Sequence, residues 1–404
     1  MVSTAQHLTD LGAELSRRGH NVKVITSRRG YDDPSLLFEK VESYRDIEIR
    51  RISTLNLGKQ SRWRRALQFA SFILNCAARL LFTLRQDAVL ALTSPPLISF
   101  LGALFTKLKG GRFYFWAMDL NPDEAIAAGW LKENSIVARL LNALLNFSMK
   151  KAEKIFVLDR FMRDRLIAKG IPIEKLMVMP PWSHDDAVRF DAEGRRAFRL
   201  RHALAEKFVV MYSGNHSPCH PLDTLLAAAE QLRDNPRISF CFVGGGSEKT
   251  KVERFARDHA LANVRLLPYQ PLAEVSASLS AADLQVVVMG DPFVGIVHPC
   301  KLYNILRVGA PVLYIGPAES HVTDLLSRSF EIEHYQARHG GVESLVEQIR
   351  VAFTRWEKQA PSRRVPGLAD RFSPLVLMPK IIDVLVADPF IAIAPSAESQ
   401  VRIA

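Results

Sequence analysis

Short apolar runs alternate with longer stretches of helical periodicity along almost the whole chain. In such a chain each helix returns the backbone to the start of the next strand, which gives parallel sheets covered by helices on both faces. The fold class predicted is therefore α/β, with two Rossmann-like domains. Strands are predicted at residues 22–26, 88–93, 112–118, 154–158, 208–212, 238–243, 264–267, 284–289 and 311–315.

With 404 residues, the chain is too long for a single hydrophobic core. Two prolines in the sequence MPPW, residues 179–182, stiffen the chain between the two series of strands, and polar residues follow them. We predict an N-terminal domain over residues 1–180 and a C-terminal domain over residues 181–373. A C-terminal helix and tail follow over residues 374–404.

The first predicted element is a helix, at residues 4–18, which ends at Gly19 before the first predicted strand. A Rossmann half ordinarily starts with a strand and a glycine-rich turn. The first strand of the N-terminal domain is therefore missing from the sequence. Either the domain lacks it or the start codon lies upstream, and we favour the second explanation.

The positive charge of the chain is confined to its first half. Residues 1–180 hold 28 Lys and Arg against 17 Asp and Glu, and the remaining residues hold 25 of each, so the net charge of +11 belongs to the first part. Between residues 49 and 86 there is no acidic residue, and Arg62, Trp63, Arg64 and Arg65 precede an uncharged run at 66–78. This pattern predicts a basic, apolar helix on an anionic lipid surface, too short to cross a bilayer.

Other features of the sequence bear on its location. The uncharged run 88–106 has the length of a membrane span, but Pro95 and Pro96 interrupt it, which favours a strand followed by a core helix. No cleavable signal peptide is visible at the first residue. The four cysteines have no spacing typical of a zinc site or a disulfide framework. We expect a cytoplasmic protein, peripheral on the inner face of the cell membrane.

Two polar or glycine-rich turns follow predicted strands of the second half, at the sheet edge where open α/β sheets bind ligands. In YSGNH, residues 212–216, Gly214 permits close backbone approach, and Asn215, His216 and the nearby His220 can donate to phosphate oxygens. A capped turn with surface histidines is the alternative. The turn Gly244–Gly246 matches a dinucleotide fingerprint only in part, since Lys249 replaces the third glycine, and a turn without a ligand is the alternative.

A third segment of this kind is a polar loop that runs into a short helix, which a glycine ends. It occupies residues 291–311, DPFVGIVHPCKLYNILRVGAP. Gly295, His298 and Lys301 stand at its predicted helix start, where free N–H groups and the helix dipole favour an anionic ligand. The sequence therefore predicts a phosphate-bearing substrate, and three such turns in one domain favour a shared nucleotide cleft.

Carboxylates follow a predicted strand of the first half, in WAMDLNPDE, residues 116–124. Asp119 is nearest the strand end, and a carboxylate there, or Glu124, can orient a sugar hydroxyl or take its proton. Helix capping by Asn121 or Asp123 is the alternative, and it is compatible with the first interpretation.

Taken together, these residues resemble the retaining GT-B glycosyltransferases of family four, and in particular the bacterial members that build cell-surface polysaccharide. The matching segments are TAQHLTDLGAELSRRGHNVKVIT, FWAMDLNPDEAIAAGWL, MVMPPW, YSGNHSPCHPLDTLLAAA, FVGGGSEK and PCKLYNILRVGAPVLYIGP. They extend over nearly the whole chain, and their order and spacing make the resemblance specific. It implies two domains that face a central cleft, with a nucleotide diphosphate sugar held mainly by the C-terminal domain.

The sequence departs from the family at two places. The family's pair of glutamates, eight positions apart, falls on Ile296 and Asn304, and its basic pair falls on Asn215 or His216 and on His220. Donor affinity is then expected to vary with pH, because histidines titrate near neutrality. Asp119 and Glu124 are the catalytic candidates. The donor-binding candidates are Gly214, Asn215, His216, His220, Gly244, Gly245, Gly246, Tyr269, Gly295, Ile296, Val297, His298, Lys301 and Asn304.

The resemblance implies transfer of a sugar to a lipid-linked or polysaccharide acceptor, such as a polyprenyl diphosphate-linked glycan. No cofactor or metal is expected, because no DxD motif follows a strand and basic groups can replace a cation. A nucleotide-sugar epimerase of the same architecture and an inactive donor-binding scaffold are the alternatives. The high pI also suggests a nucleic-acid-binding protein, but the apolar residues within the basic segment favour lipid.

Overall fold

A computed structural model describes residues 3–30, 36–55, 62–183, 188–328, 330–359, 363 and 365–387. The structure is α/β, as the sequence predicts, with a parallel sheet in each half of the chain. Its strands are β1 (Lys23–Ser27), β2 (Val41–Tyr44), β3 (Ile47–Ile52), β4 (Ala88–Ala91), β5 (Arg112–Ala117), β6 (Lys154–Val157), β7 (Leu176–Val178), β8 (Phe208–Ser213), β9 (Ile238–Val243), β10 (Val264–Leu267), β11 (Leu284–Val288), β12 (Val312–Ile315) and β13 (His334–Ala337).

Helices separate most of these strands. They are α1 (Ser3–Arg17), α2 (Arg62–Leu81), α3 (Ile98–Lys109), α4 (Asp123–Ala127), α5 (Ile136–Lys151), α6 (Arg160–Ala168), α7 (Ala192–Arg201), α8 (Asp223–Gln231), α9 (Lys249–Asp258), α10 (Val275–Ala281), α11 (Lys301–Arg307), α12 (His321–Leu326), α13 (Val342–Lys358) and α14 (Pro374–Val386).

The C-terminal sheet has the strand order β10-β9-β8-β11-β12-β13, and every neighbouring pair is parallel. Central strands such as β9 and β11 are buried along their whole length, because helices cover both faces. The order is that of a Rossmann fold, with a switch point between its first and fourth strands, β8 and β11.

The N-terminal half contains two smaller sheets. The strands β4, β5, β6 and β7 form a parallel sheet in chain order, and β3 pairs with β1 in parallel and with β2 in antiparallel fashion. Among the described residues the first element is the helix α1, as the sequence predicts. The pair β2 and β3 is not predicted, and it is joined at Arg45 and Asp46, which have positive φ angles of 48° and 61°.

The segment at 88–109 forms the strand β4 and the core helix α3, which confirms the interpretation of the two prolines. Within the described part of the chain, none of the helices has the length and apolarity that a bilayer crossing requires.

The last described helix returns to the N-terminal half. Leu377, Ile381 and Leu385 of α14 belong to the core that contains β5 and β6, and Arg112 donates to the Leu385 carbonyl at 3.1 Å. The chain crosses between the two halves a first time near Ser183, whose N–H donates to the Phe372 carbonyl at 2.8 Å. The two crossings therefore lie side by side. The domain limits at 180 and 373 stay predictions, and the tail at 388–404 lies outside the described residues.

Candidate active site

The predicted turns of the C-terminal half meet at the switch point of its sheet. One turn leaves β8 and carries residues 214–220, and another leaves β11 and carries residues 289–300. The turn at 244–246 leaves β9, the neighbour of β8. The crevice outside the carboxyl ends of the strands at such a point is where open α/β sheets bind ligands.

The turns after β8 and β9 are interlocked through their backbones. The His216 N–H donates to the Gly245 carbonyl at 2.7 Å. A Cβ on Gly244 would lie 2.1 Å from the Gly214 carbonyl oxygen, and one on Gly246 would lie 2.2 Å from the His216 carbonyl oxygen. Packing between the turns therefore requires glycine at 244 and 246, independently of any ligand.

Lys301 is the first residue of α11, and its side chain extends to the turn after β8. Its Nζ lies 3.5 Å from the centroid of the Tyr212 ring, a cation–π distance, and 2.9 Å from the place of a Cβ on Gly214. The Nζ is buried and has no hydrogen-bond partner among the described residues. Burial lowers the pKa of Lys301 to about 7. The site thus holds an amine whose charge nothing in the described chain neutralises by a hydrogen bond.

His216 and His220 are buried beside Lys301 as neutral rings. Burial, and then the positive charge of Lys301, lower the pKa of His216 to about 4 and that of His220 to about 3. The Nδ1 of His220 lies 2.8 Å from the Val288 carbonyl oxygen and carries the proton, so its Nε2 is an acceptor. Neither ring nitrogen of His216 has a hydrogen-bond partner in the described chain. Among the described residues, the positive charge beside the two rings comes from Lys301 and, next to His216, also from Lys249.

Tyr269 lies at the edge of the glycine turns. Its side chain is 57% exposed, its hydroxyl donates to the Gly245 carbonyl at 3.2 Å, and its ring covers the backbone of Gly244 and Gly245. An exposed ring in this position can stack on a planar base. Asn215 is exposed next to the same turns, and Asn304 is half-buried on α11.

The N-terminal half contributes its carboxylates from the segment after β5. The Asn121 amide donates to Asp119 at 3.1 Å and to Glu124 at 3.3 Å, so it joins the two carboxylates. Burial, and then the negative charge of Glu124, raise the pKa of Asp119 to about 6. The Cys219 thiol lies 3.5 Å from Glu124. Since Cys219 belongs to the turn after β8, the structure brings the predicted carboxylates against the C-terminal half.

The loop after β11 is clamped against the N-terminal half. The Leu120 N–H donates to the Ile296 carbonyl at 3.0 Å. Gly295 has a φ of 70°, and a Cβ on it would lie 2.7 Å from the Phe161 carbonyl oxygen, so glycine is required here for contact with α6. Ile296 is buried, and Val297 packs against the cores of both halves. That these residues also contact a donor stays a prediction.

His298 occupies the interface with both ring nitrogens in use. Its Nδ1 lies 2.7 Å from Asp159, and its Nε2 lies 2.7 Å from the Tyr303 hydroxyl, which in turn lies 3.1 Å from Nε2 of His321. In this arrangement His298 has no free ring nitrogen with which to bind a nucleotide-sugar donor. Its three partners, Asp159, Tyr303 and His321, are not predicted from the sequence. The position of Asp159, directly after a strand and before a helix, was the one available signal.

The ligand atoms of Asp159, His298 and His321 lie within 4.8 Å of one another, which is the spacing of a possible metal site. The 2.7 Å between Asp159 and His298 is, however, a hydrogen-bond distance. Two ligands of one zinc ion, each about 2.0–2.1 Å from it in tetrahedral geometry, lie farther apart. The group is therefore hydrogen-bonded as it stands.

The basic segment predicted to contact lipid begins the helix α2. The side chains of Arg62, Trp63 and Arg65 lie outside the described part of the structure, and Arg64 is half-buried. Elsewhere, a cavity of about 460 Å³ lies beside the edge strand β13, and its walls include Phe330, Tyr335 and Arg355 but no predicted site residue.

Comparisons with known proteins agree with this architecture. The glycosyl transferase 4-like domain matches residues 4–182, and the glycosyl transferases group 1 domain matches residues 195–314. The putative colanic acid biosynthesis glycosyl transferase WcaI of Escherichia coli K12 is 28% identical over 84% of this chain and 85% of its own length.

Two solved structures share the fold. Sucrose-phosphate synthase from Thermosynechococcus elongatus superposes with a TM-score of 0.71 at 14% identity, covering 94% of this chain and 91% of its own. HepE of Anabaena, in complex with UDP and glucose, superposes with a TM-score of 0.64 at 15% identity, covering 85% of this chain and 87% of its own. With both domain types in order along one chain, the protein belongs to the GT-B glycosyltransferases, as a member with a glycosyl transferase 4-like and a group 1 domain.

Proposed function

We propose that the protein transfers a sugar from a nucleotide diphosphate sugar to an acceptor in the biosynthesis of cell-surface glycan. The observation that carries the proposal is the buried Nζ of Lys301, which has no hydrogen-bond partner in the described chain and lies beside the glycine turns at the switch point. A relative named for colanic acid biosynthesis and a structural neighbour bound to UDP and glucose support the same substrate class.

In this proposal Lys301 binds the diphosphate of the donor. An ammonium forms short, charge-assisted hydrogen bonds to phosphate oxygens, and the buried location strengthens them. During transfer the leaving diphosphate gains negative charge, which the same ammonium stabilises. The proposal needs no metal, because Lys301 supplies the positive charge. Tyr269 stacks on the base from its exposed position at the turn edge.

The acceptor binds from the N-terminal side in this proposal. Asp119 and Glu124, joined by the Asn121 amide, orient the hydroxyl that receives the sugar. The raised pKa of the half-buried Asp119 suits it to accept a proton near neutral pH.

A screen of nucleotide diphosphates and their sugars tests the proposal. We expect one base to raise the melting temperature, and we expect Lys301→Met to weaken binding of that ligand by about 10–100-fold in calorimetry, the loss typical of a charged hydrogen bond. Lys251→Met is the matched control, because Lys251 is exposed and pairs with Asp223 at 2.7 Å. Failure of every nucleotide diphosphate to bind contradicts the proposal, and conversion of a nucleotide sugar without an acceptor identifies an epimerase instead.

We further propose that the enzyme works at an anionic membrane on a lipid-linked acceptor. An apolar rim supports this placement. It is exposed on the segment that follows β5 and Asp119 in the chain. The rim consists of Trp130, Ile136, Val137 and Leu140, which are 45%, 84%, 56% and 57% exposed. The exposed cations Lys132 and Arg139 lie among them, with the exposed anion Glu133. Exposed apolar groups mixed with cations are typical of surfaces that enter the headgroup region of anionic lipid, and co-flotation with vesicles measures the association.

A further inference from the structure

Four side chains form a continuous hydrogen-bonded chain across the interface between the two halves. Asp159 caps the helix α6 of the N-terminal half, because one of its carboxylate oxygens accepts the Met162 N–H at 2.8 Å. His298, Tyr303 and His321 belong to the C-terminal half. Asp159, His298 and Tyr303 are buried, and the His298 side chain is completely shielded from solvent. We refer to these four residues as the interface relay.

The contact between Asp159 and His298 has a defined direction. The contact with His298 holds the pKa of Asp159 below its usual value, so Asp159 is an acceptor, and His298 donates from Nδ1. Nε2 of His298 lies 2.7 Å from the Tyr303 hydroxyl, so both ring nitrogens of His298 are engaged. The Tyr303 hydroxyl also lies 3.1 Å from Nε2 of His321, and burial lowers the pKa of His321 far below its usual value, so that ring is neutral. The four side chains are thus joined by three contacts of hydrogen-bond length.

Two residues of the interface relay flank Lys301 in the sequence. His298 precedes Lys301 by three residues, and Tyr303 follows it by two on the short helix α11. The same loop is held by the Leu120 bond to Ile296 and by Arg165, which donates to the Val294 carbonyl at 3.2 Å. The position of Lys301 relative to the glycine turns is therefore fixed partly by residues of the opposite half.

We propose that His298 is a positioning residue, which acts with Asp159, Tyr303 and His321 to place Lys301 for the donor diphosphate when the two domains meet. The inference rests on the proposed role of Lys301. In the relay the N-terminal domain aligns the donor site through Asp159, so the domain that holds the acceptor completes the binding site for the donor. Separation of the domains breaks the bond between Asp159 and His298 and releases the loop.

A double-mutant cycle tests this inference. Asp159→Ala, His298→Ala and the double variant are compared with the natural protein for affinity toward UDP, GDP and their sugars. We expect each single change to weaken binding by roughly tenfold, the loss of a buried charged hydrogen bond, and the double change to cost no more than either alone. Effects that add fully, or single variants that bind like the natural protein, overturn the inference.

The adjacent contact between Arg160 and Asp324 provides the control. It also joins the two halves, with an Arg160–Asp324 distance of 2.9 Å, and it starts at the residue next to Asp159 but does not involve the loop of Lys301. We expect Arg160→Ala to leave donor affinity within about twofold, because the pair is exposed. If Arg160→Ala weakens donor binding as strongly as His298→Ala, the relay only holds the domains together and the positioning role is wrong.

A shorter side chain at position 298 that still donates a hydrogen bond distinguishes a positioning role from a folding role. In His298→Asn the side-chain amide can still donate to Asp159, so we expect this variant to bind donor more tightly than His298→Ala. Tyr303→Phe removes a single hydroxyl, and it replaces Asp159→Ala in the double-mutant cycle if Asp159→Ala does not fold. Equal binding by the Asn and Ala variants counts against the relay.

Failure of the relay and failure of the proposed function have different signatures. If the natural protein binds no nucleotide diphosphate, the function proposed for Lys301 is wrong. X-ray scattering then still measures whether Asp159→Ala increases the radius of gyration, as loss of an interdomain bond predicts. If the natural protein binds donor and the cycle shows no coupling, only the relay is wrong.

Discussion

Lys301 and Asp119 both have pKa values that burial has shifted toward neutrality. Burial lowers the pKa of Lys301 to about 7, and burial together with Glu124 raises the pKa of Asp119 to about 6. A lysine is charged below its pKa, and a carboxylate is charged above its own. In the narrow interval between the two values both groups carry the charge that the proposed mechanism requires.

We predict a bell-shaped pH dependence of kcat/KM, which reports ionisations of the free enzyme. Activity rises with pH through about 6 as Asp119 loses its proton, and it falls above about 7 as Lys301 loses its own. Steady-state rates between pH 5 and 9 measure both limbs. Asp119→Asn is expected to remove the acid limb, and Lys301→Arg to move the alkaline limb to higher pH. An alkaline limb that stays in place in Lys301→Arg contradicts the assignment.

The sequence placed the pH-sensitive group among the histidines, and the structure moves it to Lys301. His216 and His220 look like titratable donors when only their residue type is known. Once buried next to an amine, their pKa values fall to about 4 and 3, so both stay neutral at physiological pH. Burial of a ring depends on residues distant in sequence, which a motif does not reveal.

At the scale of elements, the turns after β8 and β9 are held together by backbone contact, and Gly246 is central to it. We predict that Gly246→Ala lowers the free energy of unfolding by about 1–3 kcal/mol, because its φ of 133° and the carbonyl oxygen of His216, 2.2 Å from the new Cβ, both oppose a side chain. Urea unfolding measures the change. Gly245→Ala is the matched control, since its Cβ meets only the Tyr269 ring, at 3.1 Å. Equal losses in both variants contradict the argument.

The helix α7 is joined to the C-terminal sheet by a buried ionic cluster around Asp283. This carboxylate accepts from Arg195 at 2.5 Å, from Arg199 at 2.9 Å and from the Val209 N–H at 2.9 Å. We predict that Asp283→Ala destabilises the protein by about 3–5 kcal/mol, because buried guanidinium groups lose their counter-ion.

Chemical denaturation monitored by circular dichroism checks the Asp283 prediction. Glu357→Ala is the comparison, since it breaks the exposed pair with Arg237 and is expected to cost less than about 1 kcal/mol. A similar midpoint shift for the two variants would show that the cluster contributes no more than a surface ion pair.

Strands with a continuous apolar run could be predicted from the sequence, and those with alternating or polar residues could not. The strands β9 and β10 begin and end where their apolar runs do, since helices cover both faces of the C-terminal sheet. The strand β2 was missed because it is largely exposed, and β13 because it is a short edge strand in which exposed polar residues alternate with the buried Tyr335 and Ala337. The glycine turns and Lys301 were visible as local motifs. The interface relay was not, because Asp159 and His298 are 139 positions apart and only the fold brings them together.

For the whole molecule, we predict that the apolar rim directs binding to anionic vesicles. Ile136→Asp combined with Leu140→Asp replaces exposed apolar groups with charges that anionic headgroups repel, so we expect vesicle-bound protein to fall at least about tenfold in a flotation assay. Leu200→Asp is the matched control, because Leu200 is 74% exposed but lies on α7 of the C-terminal half. Undiminished flotation of the rim variant contradicts the prediction.

The lone amine of Lys301 also has a consequence for the lifetime of the protein. A buried ammonium without a hydrogen-bonded partner in the described part of the chain opposes folding, and a bound diphosphate supplies a counter-ion that the described residues do not. In cells that run short of the sugar nucleotide, the enzyme would then be degraded more easily. Its abundance would therefore follow the supply of its own donor substrate. Protease digestion with and without the nucleotide would show this as a difference in the rate of cleavage, and the difference would disappear in Lys301→Met.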